Sequence, residues 1–397
     1  MNDRPKIAIW FRYGPAEHAE LFHAMPEIVR RLAEHTEVHY FGLRSSKPIP
    51  EMITSHAVIH NLPFHINRTS SADKWLKTIL WLLCLPIIAL KCRWLRMKLV
   101  YIDETVPLAA MIGRVFYGRN VVITVADFFV LIYMGKNRLL SLLGRFISAV
   151  DFAAWRRLPL IFTRANYTKT FLVQKGFDPR RIMAVYDPCD FLLYHPGGRE
   201  SARAEYHYQD DHVVLVSHGI MHPNKGNDRI IQWVSDLREQ CPFLRLLLIG
   251  DGPDMSRLKQ MVCDLQAEDI IRFTGWLKTP AQVNKALNAG DIGLVMRAGQ
   301  ESDNFHTTGA LVHSLACGLP VLAARLGGVA EIVRENETGL LFDPNSKEEF
   351  NAKLMTLTRS RDVRRRYGAA GYKLAKELFD IQAVTDATVR PLLALLQ

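Results

Sequence analysis

HTTGALVHSLACGLPV, residues 306–321, is the stretch from which the architecture of the chain can be read. Thr307 or Thr308 can cap a helix, because a hydroxyl accepts from the unpaired N–H groups of a first turn. Leu311, Val312, Leu315 and Leu319 then recur at helical spacing and would bury one side. Gly318 ends the helix, Pro320 bars its return, and VLAA (321–324) is a short apolar strand. A helix start carrying Thr-Thr-Gly is a ready anion site, since Gly309 adds no bulk and the free N–H groups point outward. On this segment alone a phosphate site and an ordinary capped core helix both remain open.

The same helix-and-strand alternation extends in both directions. HVVLVSHG (212–219), FLRLLLIGDG (243–252), IIRFTGW (270–276), IGLVMRA (292–298), PVLAA (320–324) and TGLLFDP (338–344) alternate with helical stretches such as 228–239 and 253–264. The first half repeats the pattern with KIAIWF (6–11), a helix over 26–34, VHYFGL (38–43), LVYID (99–103), NVVITVAD (120–127), LIFTRA (160–165) and MAVYD (183–187). Strands separated by helices imply parallel pairing with helices on both faces. At 397 residues the chain also exceeds the size of a single core. The expectation is therefore α/β, with two Rossmann-like doubly wound domains at 1–196 and 206–365 facing a central cleft. HPGGRESARA (195–204) reads as the linker, and the helices of 366–397 are expected to pack back on the first domain. Such sheets bind ligands beyond the carboxyl ends of their strands, so the site belongs in the loops after them.

Composition narrows the class. The chain is 49% hydrophobic and 23% charged, as a globular protein is, and its six cysteines form no CxxC pair or zinc spacing. That pattern implies a reducing compartment and no structural metal. MNDRPKIAIWF runs straight into a strand and lacks the form of a signal peptide. Of the net charge of +10, residues 1–198 carry 26 Lys+Arg against 15 Asp+Glu, and the remainder 24 against 25. A basic half suits nucleic acid, anionic lipid or a phosphorylated substrate. The absence of helix-turn-helix, zinc-finger and RNP-like patterns argues against nucleic acid. KWLKTILWLLCLPIIALKCRWLRMK (74–98) has an uncharged interior, 78–90, too short to span a bilayer, and Pro86 interrupts it. With Trp75, Trp81 and Trp94 and its flanking cations it reads as an interfacial segment, as does 128–146; the alternative is a helix buried against the sheet with a basic rim.

Three loops carry candidate chemistry. SHGIMHPNKG (217–226) ends a strand at Gly219 and delivers Lys225, a mobile charge for a phosphate or a plain solvated lysine. LLIGDGPDMSRLK (247–259) turns at Gly250 and Gly252, where the backbone can approach a ligand. FTGW (273–276) offers backbone to a planar base near Thr274, Gly275, Trp276 and Leu277, and Trp276 is as readily a packing residue.

In this order, followed by the Thr-Gly helix ending ACGLPV, then GGVAEIV and ENETGLLFDP, these elements resemble the nucleotide-sugar domain of retaining GT-B glycosyltransferases of family 4, over residues 213–344. The first half resembles it more loosely, through IFTRANYTKTFLVQKGF and DPCDFLLYHP. The resemblance implies a metal-independent enzyme with a nucleotide-diphosphate sugar as co-substrate and no further cofactor. The departing diphosphate would meet Lys225 and the helix start at His306, Thr307, Thr308 and Gly309. Two departures stand out: Ile220 occupies the family's arginine position, and Phe305 and His313 occupy its paired glutamates. His313 would then serve the ribose, and Glu301 or Asp303 the sugar. Asp127, ending its strand, is either a cleft residue near the reacting sugar or a helix cap. Arg12, Glu17 and His18 in FRYGPAEH are candidates for the acceptor.

The resulting expectation is a glycosyltransferase peripheral to the cytoplasmic face of the cell membrane, acting on a lipid-linked or membrane-associated glycan. The competing class is a non-catalytic GT-B-shaped partner subunit, which the substitutions at Ile220, Phe305 and His313 favour. A nucleotide-dependent oxidoreductase lacks its G-x-G-x-x-G after the first strand.

Overall fold

A computed structural model describes residues 4–44, 47–62, 71–126, 138–305 and 307–397, with the backbone alone for 71–75 and 138–140. The chain forms two compact units, Met1–Pro188 with Ile381–Gln397, and Cys189–Asp380.

The first unit is built on a parallel sheet of β1 (Lys6–Trp10), β2 (Glu37–Leu43), β3 (Ala57–Leu62), β4 (Leu99–Ile102), β5 (Val121–Val125), β6 (Leu160–Thr163) and β7 (Ile182–Ala184). Their order is β3-β2-β1-β4-β5-β6-β7. Central strands such as VVITV are buried at every position, as expected where helices cover both faces. β3 is not among the strands marked by the sequence. It is the edge strand, only partly covered, so AVIHNL carries no apolar run. In the second unit β8 (Val213–His218), β9 (Leu244–Ile249), β10 (Ile271–Phe273), β11 (Ile292–Val295), β12 (Val321–Ala324) and β13 (Gly339–Phe342) pair in the order β10-β9-β8-β11-β12-β13, again all parallel. Strand order reverses between β1 and β4 and between β8 and β11, and a crevice opens at the carboxyl ends of such pairs.

In the first unit that crevice is filled by charge. Asp103, just past β4, accepts from Arg164, just past β6, at 2.8 Å. Its other oxygen meets His18 Nε2 at 2.8 Å, and His18 Nδ1 bonds the Tyr40 hydroxyl of β2. The His18 ring stacks on Phe11, 3.7 Å between centroids. Burial holds His18 below its ordinary pKa, while Arg164 and His18 hold the Asp103 carboxyl well below the usual carboxylate range against its burial. Beside them Glu104 accepts from the Arg12 backbone N–H at 2.8 Å, and Arg12 reaches Thr78 on the Ser71–Trp94 helix. The sequence marks His18 as an acceptor contact; the structure places it in the interior, because Asp103 and Tyr40 claim both ring nitrogens.

The boundaries between units also differ from the sequence reading. HPGGRESARA is not a free linker: Arg199–Glu205 is a helix, and Arg199 and Arg203 hold Asp291 at 2.7 and 3.0 Å. The second unit closes where Cys189 N–H donates to the Phe379 carbonyl at 2.7 Å. The tail divides as well. The Arg361–Phe379 helix lies on the Gly309–Ala316 helix, where a Cβ on Gly368 would stand 2.0 Å from the Gly318 carbonyl oxygen. Only Ile381–Ala394 returns to the first unit, against the Met25–Ala33 helix, with Arg31 paired to Asp386.

Gly368→Ala is expected to lower stability by about 1–3 kcal/mol in urea unfolding, because a rigid carbonyl occupies the added methyl's place. Asp103→Ala strands two buried cationic or polar partners and is expected to lower it by about 3–5 kcal/mol in the same measurement.

Candidate functional site

In the second unit the crevice between β8 and β11 is open and lined by Ser217, His218, Gly219, Lys225, Met296 and Thr308, with their neighbours. Its floor depends on a backbone contact. Gly219 turns at φ +143° after the buried run of β8. Its N–H donates to the Ile249 carbonyl at 2.9 Å, Met221 N–H to Asp251 at 2.9 Å, and Asp254 N–H to Met221 at 3.0 Å. A Cβ on Gly250 would lie 2.1 Å from Gly219 O, and one on Gly252 2.3 Å from Met221 O. The glycines of GDGP therefore serve to bring two loops together. This corrects the expectation for Gly252, whose close neighbour is the Met221 backbone.

Lys225 ends the Pro223–Lys225 turn, which begins at His222, whose Nδ1 accepts from Asn224 N–H at 3.2 Å. Gly226 follows at φ +64° and starts the Asn227–Asp236 helix. Lys225 Nζ stands 4.0 Å from where a Gly219 Cβ would be. Burial, and next the positive charge of Arg297, push its pKa down to about 8, with Asp303 opposing. Arg297 escaped the sequence reading, although a cation two residues beyond a switch-point strand was a usable signal. Its guanidinium donates to Asp303 at 3.0 Å, and Asp303 also accepts from Gln300 N–H at 3.0 Å. Asp303 is 2% exposed and engaged by these groups, so it holds Arg297 instead of facing a sugar as expected. Glu301, at the start of the Glu301–Phe305 turn, is exposed.

The Gly309–Ala316 helix forms the next wall. Thr308 is its cap, accepting from Leu311 N–H at 3.3 Å, and Thr307 donates to the Gly328 carbonyl at 3.4 Å. Both hydroxyls thus have structural partners, while the first N–H groups of the helix have none within the helix. The far end closes with Leu319 N–H on Ser314 O at 3.0 Å around Gly318 at φ +71°. His313 stacks on Tyr194 with centroids 3.7 Å apart and lies 5.3 Å from the His218 ring. Burial, then Lys225, push His218 down to about 4, so this imidazole is neutral and keeps one N–H to donate. Gly309 sits over the His313 ring edge.

Beside this crevice, Thr274 Oγ1 accepts from Gly250 N–H at 3.2 Å and donates to the Gly275 carbonyl at 2.8 Å, and Gly275 bridges Gly250. Trp276 is 68% exposed, which rules out core packing, and Leu277 is partly covered. Lys225, Thr308 and Gly219 are thus brought together, with Arg297 and His218 added. Arg12 and Glu17 are partly buried in the first unit. Asp127 and His306 lie outside the described residues, as does most of 128–146.

Residues 198–374 match the family described as Glycosyl transferases group 1. Over 212 residues the chain is 28% identical to a D-inositol 3-phosphate glycosyltransferase of Segniliparus rotundus, covering 53% of this chain and 46% of that protein. The match thus spans less than half of the relative's length. The crystal structure of HepE from Anabaena, solved with UDP and glucose, is similar at TM-score 0.70 and 17% identity, over 98% of this chain and 100% of that one. WaaG, a glycosyltransferase involved in lipopolysaccharide biosynthesis, is similar at TM-score 0.67 and 15% identity, over 96% and 98%. At these identities the likeness speaks for the fold, which is GT-B. Within the second unit, residues 198–374 are thus similar to the glycosyl transferases group 1 family, and the two parallel sheets have the GT-B architecture of these structures.

Proposed function

We propose that the chain transfers a sugar from a nucleoside-diphosphate sugar, with retention and without a metal, to a lipid-linked or membrane-associated glycan at the inner face of the cell membrane. The observation that carries this reading is the set of positive groups around one crevice: Lys225, the Asp303-held Arg297, and the positive end of the Gly309–Ala316 helix that Thr308 caps. Charge grows on the departing diphosphate, so groups already aimed at it lower the barrier without reorganising. Lys225 and the helix start contact that diphosphate, and Arg297 adds the charge that the sequence lacks at Ile220. The His218–His313 pair offers N–H groups to the ribose, the Thr274 to Leu277 loop meets the base, and Glu301 meets the sugar. The co-substrate is the only small molecule invoked. Support for donor and acceptor classes comes from HepE, solved with UDP and glucose, and from WaaG, a glycosyltransferase involved in lipopolysaccharide biosynthesis.

A second reading, a GT-B-shaped subunit that binds nucleotide without turnover, is favoured by Phe305, an apolar and buried residue where the resembling family has a glutamate.

Isothermal titration with UDP, GDP and ADP tests the site. One nucleotide is expected to bind, and Lys225→Ala is expected to weaken it by about 10- to 100-fold, the worth of one charge-assisted hydrogen bond. Absence of binding by all of them overturns the reading, and binding without sugar transfer selects the second. The pH profile is a separate check. Lys225 in the free protein is protonated below about 8, so UDP affinity is expected to fall as pH rises through that value. Lys225→Arg removes this fall, because a guanidinium stays charged.

A further inference from the structure

The Ser71–Trp94 helix is apolar on two opposite faces, and only one of them is covered. Thr78, Trp81, Leu85, Ile88 and Cys92 form the inner stripe and are buried. Leu76, Ile79, Leu83, Ile87, Leu90 and Trp94 recur every three or four residues on the outer side and are all exposed, Leu83 by 68% and Trp94 by 79%. Trp81, expected at an interface, is instead fully buried. The Ala109–Tyr117 helix packs against this one and against Arg138–Trp155, and extends the apolar surface with Val115 and then Leu142, Leu143 and Phe146, all exposed. Single exposed apolar residues are ordinary, but this many on three helices packed on one another mark an interaction surface.

Charge identifies the partner. Between residues 74 and 150 the chain carries 11 Lys+Arg and 3 Asp+Glu, of which Asp103 and Glu104 are buried in the polar cluster. Lys91, Arg93, Arg96, Lys98, Arg119 and Arg145 are exposed on the same helices and the turns that follow them. A second copy would set these cations against their own kind. An acidic protein could satisfy the charge, yet it would have to supply a matching apolar face. An anionic bilayer supplies both, hydrocarbon below and negative headgroups around it. Among the described residues no helix is long and apolar enough to cross a membrane, and an apolar stripe rimmed by cations suits lying in the interface plane. We infer that this three-helix face docks the first unit onto an anionic lipid surface, with the Leu76-to-Trp94 stripe in the acyl boundary and the cations at the headgroups. The docking is independent of the donor site.

Co-sedimentation with vesicles of phosphatidylcholine alone, and of phosphatidylcholine mixed with phosphatidylglycerol, tests it. The protein is expected to pellet with the mixed vesicles and to be released as salt is raised. Leu83→Glu combined with Ile87→Glu is expected to lower the bound fraction by about tenfold or more. Lys91→Glu combined with Arg145→Glu changes exposed charges alone and is expected to give a loss of about tenfold on the mixed vesicles. Both pairs should keep the native circular dichroism and the UDP affinity of the parent chain, which separates lost docking from lost folding or a failed donor site. A parent protein that stays in the supernatant with mixed vesicles overturns the inference. So does a dimer in sedimentation velocity that the Leu83→Glu, Ile87→Glu pair breaks.

Discussion

No side chain fits between the loops that follow β8 and β9. Gly219, Gly250 and Gly252 bring two stretches of backbone to hydrogen-bonding distance, and a methyl on Gly250 or Gly252 would lie within 2.3 Å of a carbonyl oxygen. Everything that faces the crevice is referred to this contact. It fixes where β8 turns, and so where the Pro223–Lys225 turn can start and where Lys225 Nζ can stand. The strand-order reversal opens the space, and the glycine contact gives that space a rigid floor.

The two switch points show opposite electrostatic outcomes on the same topology. In the first unit Asp103 lies between His18 and Arg164, and Glu104 beside Arg12, so each of these charges has a counterpart. Such an arrangement contributes little net stability but is costly to break from one side, which makes it a device for register more than for strength. In the second unit Asp303 pairs with Arg297, and Lys225 is left with a depressed pKa at the pocket. A cation that burial has made uncomfortable gains most from an arriving anion.

A third feature stands apart from both sheets. The Ser71–Trp94 helix does what an amphipathic helix of a soluble domain does not, since its second face is as apolar as its first. That face and the net charge of the chain occupy the same region, so the excess of cations has a location and not only a sum.

The sequence by itself determined the parallel α/β class, nearly every strand, and the loops that hold Lys225, Thr308 and Gly219. Buried parallel strands write themselves as unbroken apolar runs, and glycines and caps mark where they end. The edge strand Ala57–Leu62 was illegible because half-covered strands lack such a run. What only the tertiary structure decided is which polar groups are free. Asp303 and Arg297 are both charged residues of one loop, and nothing local says that they pair with each other; His18 and Asp103 are 85 positions apart. The division of the tail after Asp380 likewise turns on Gly368 meeting the Gly318 carbonyl. Pattern along a chain reports the period of burial, whereas the partner of a charge depends on distances that exist only once the strands are laid side by side.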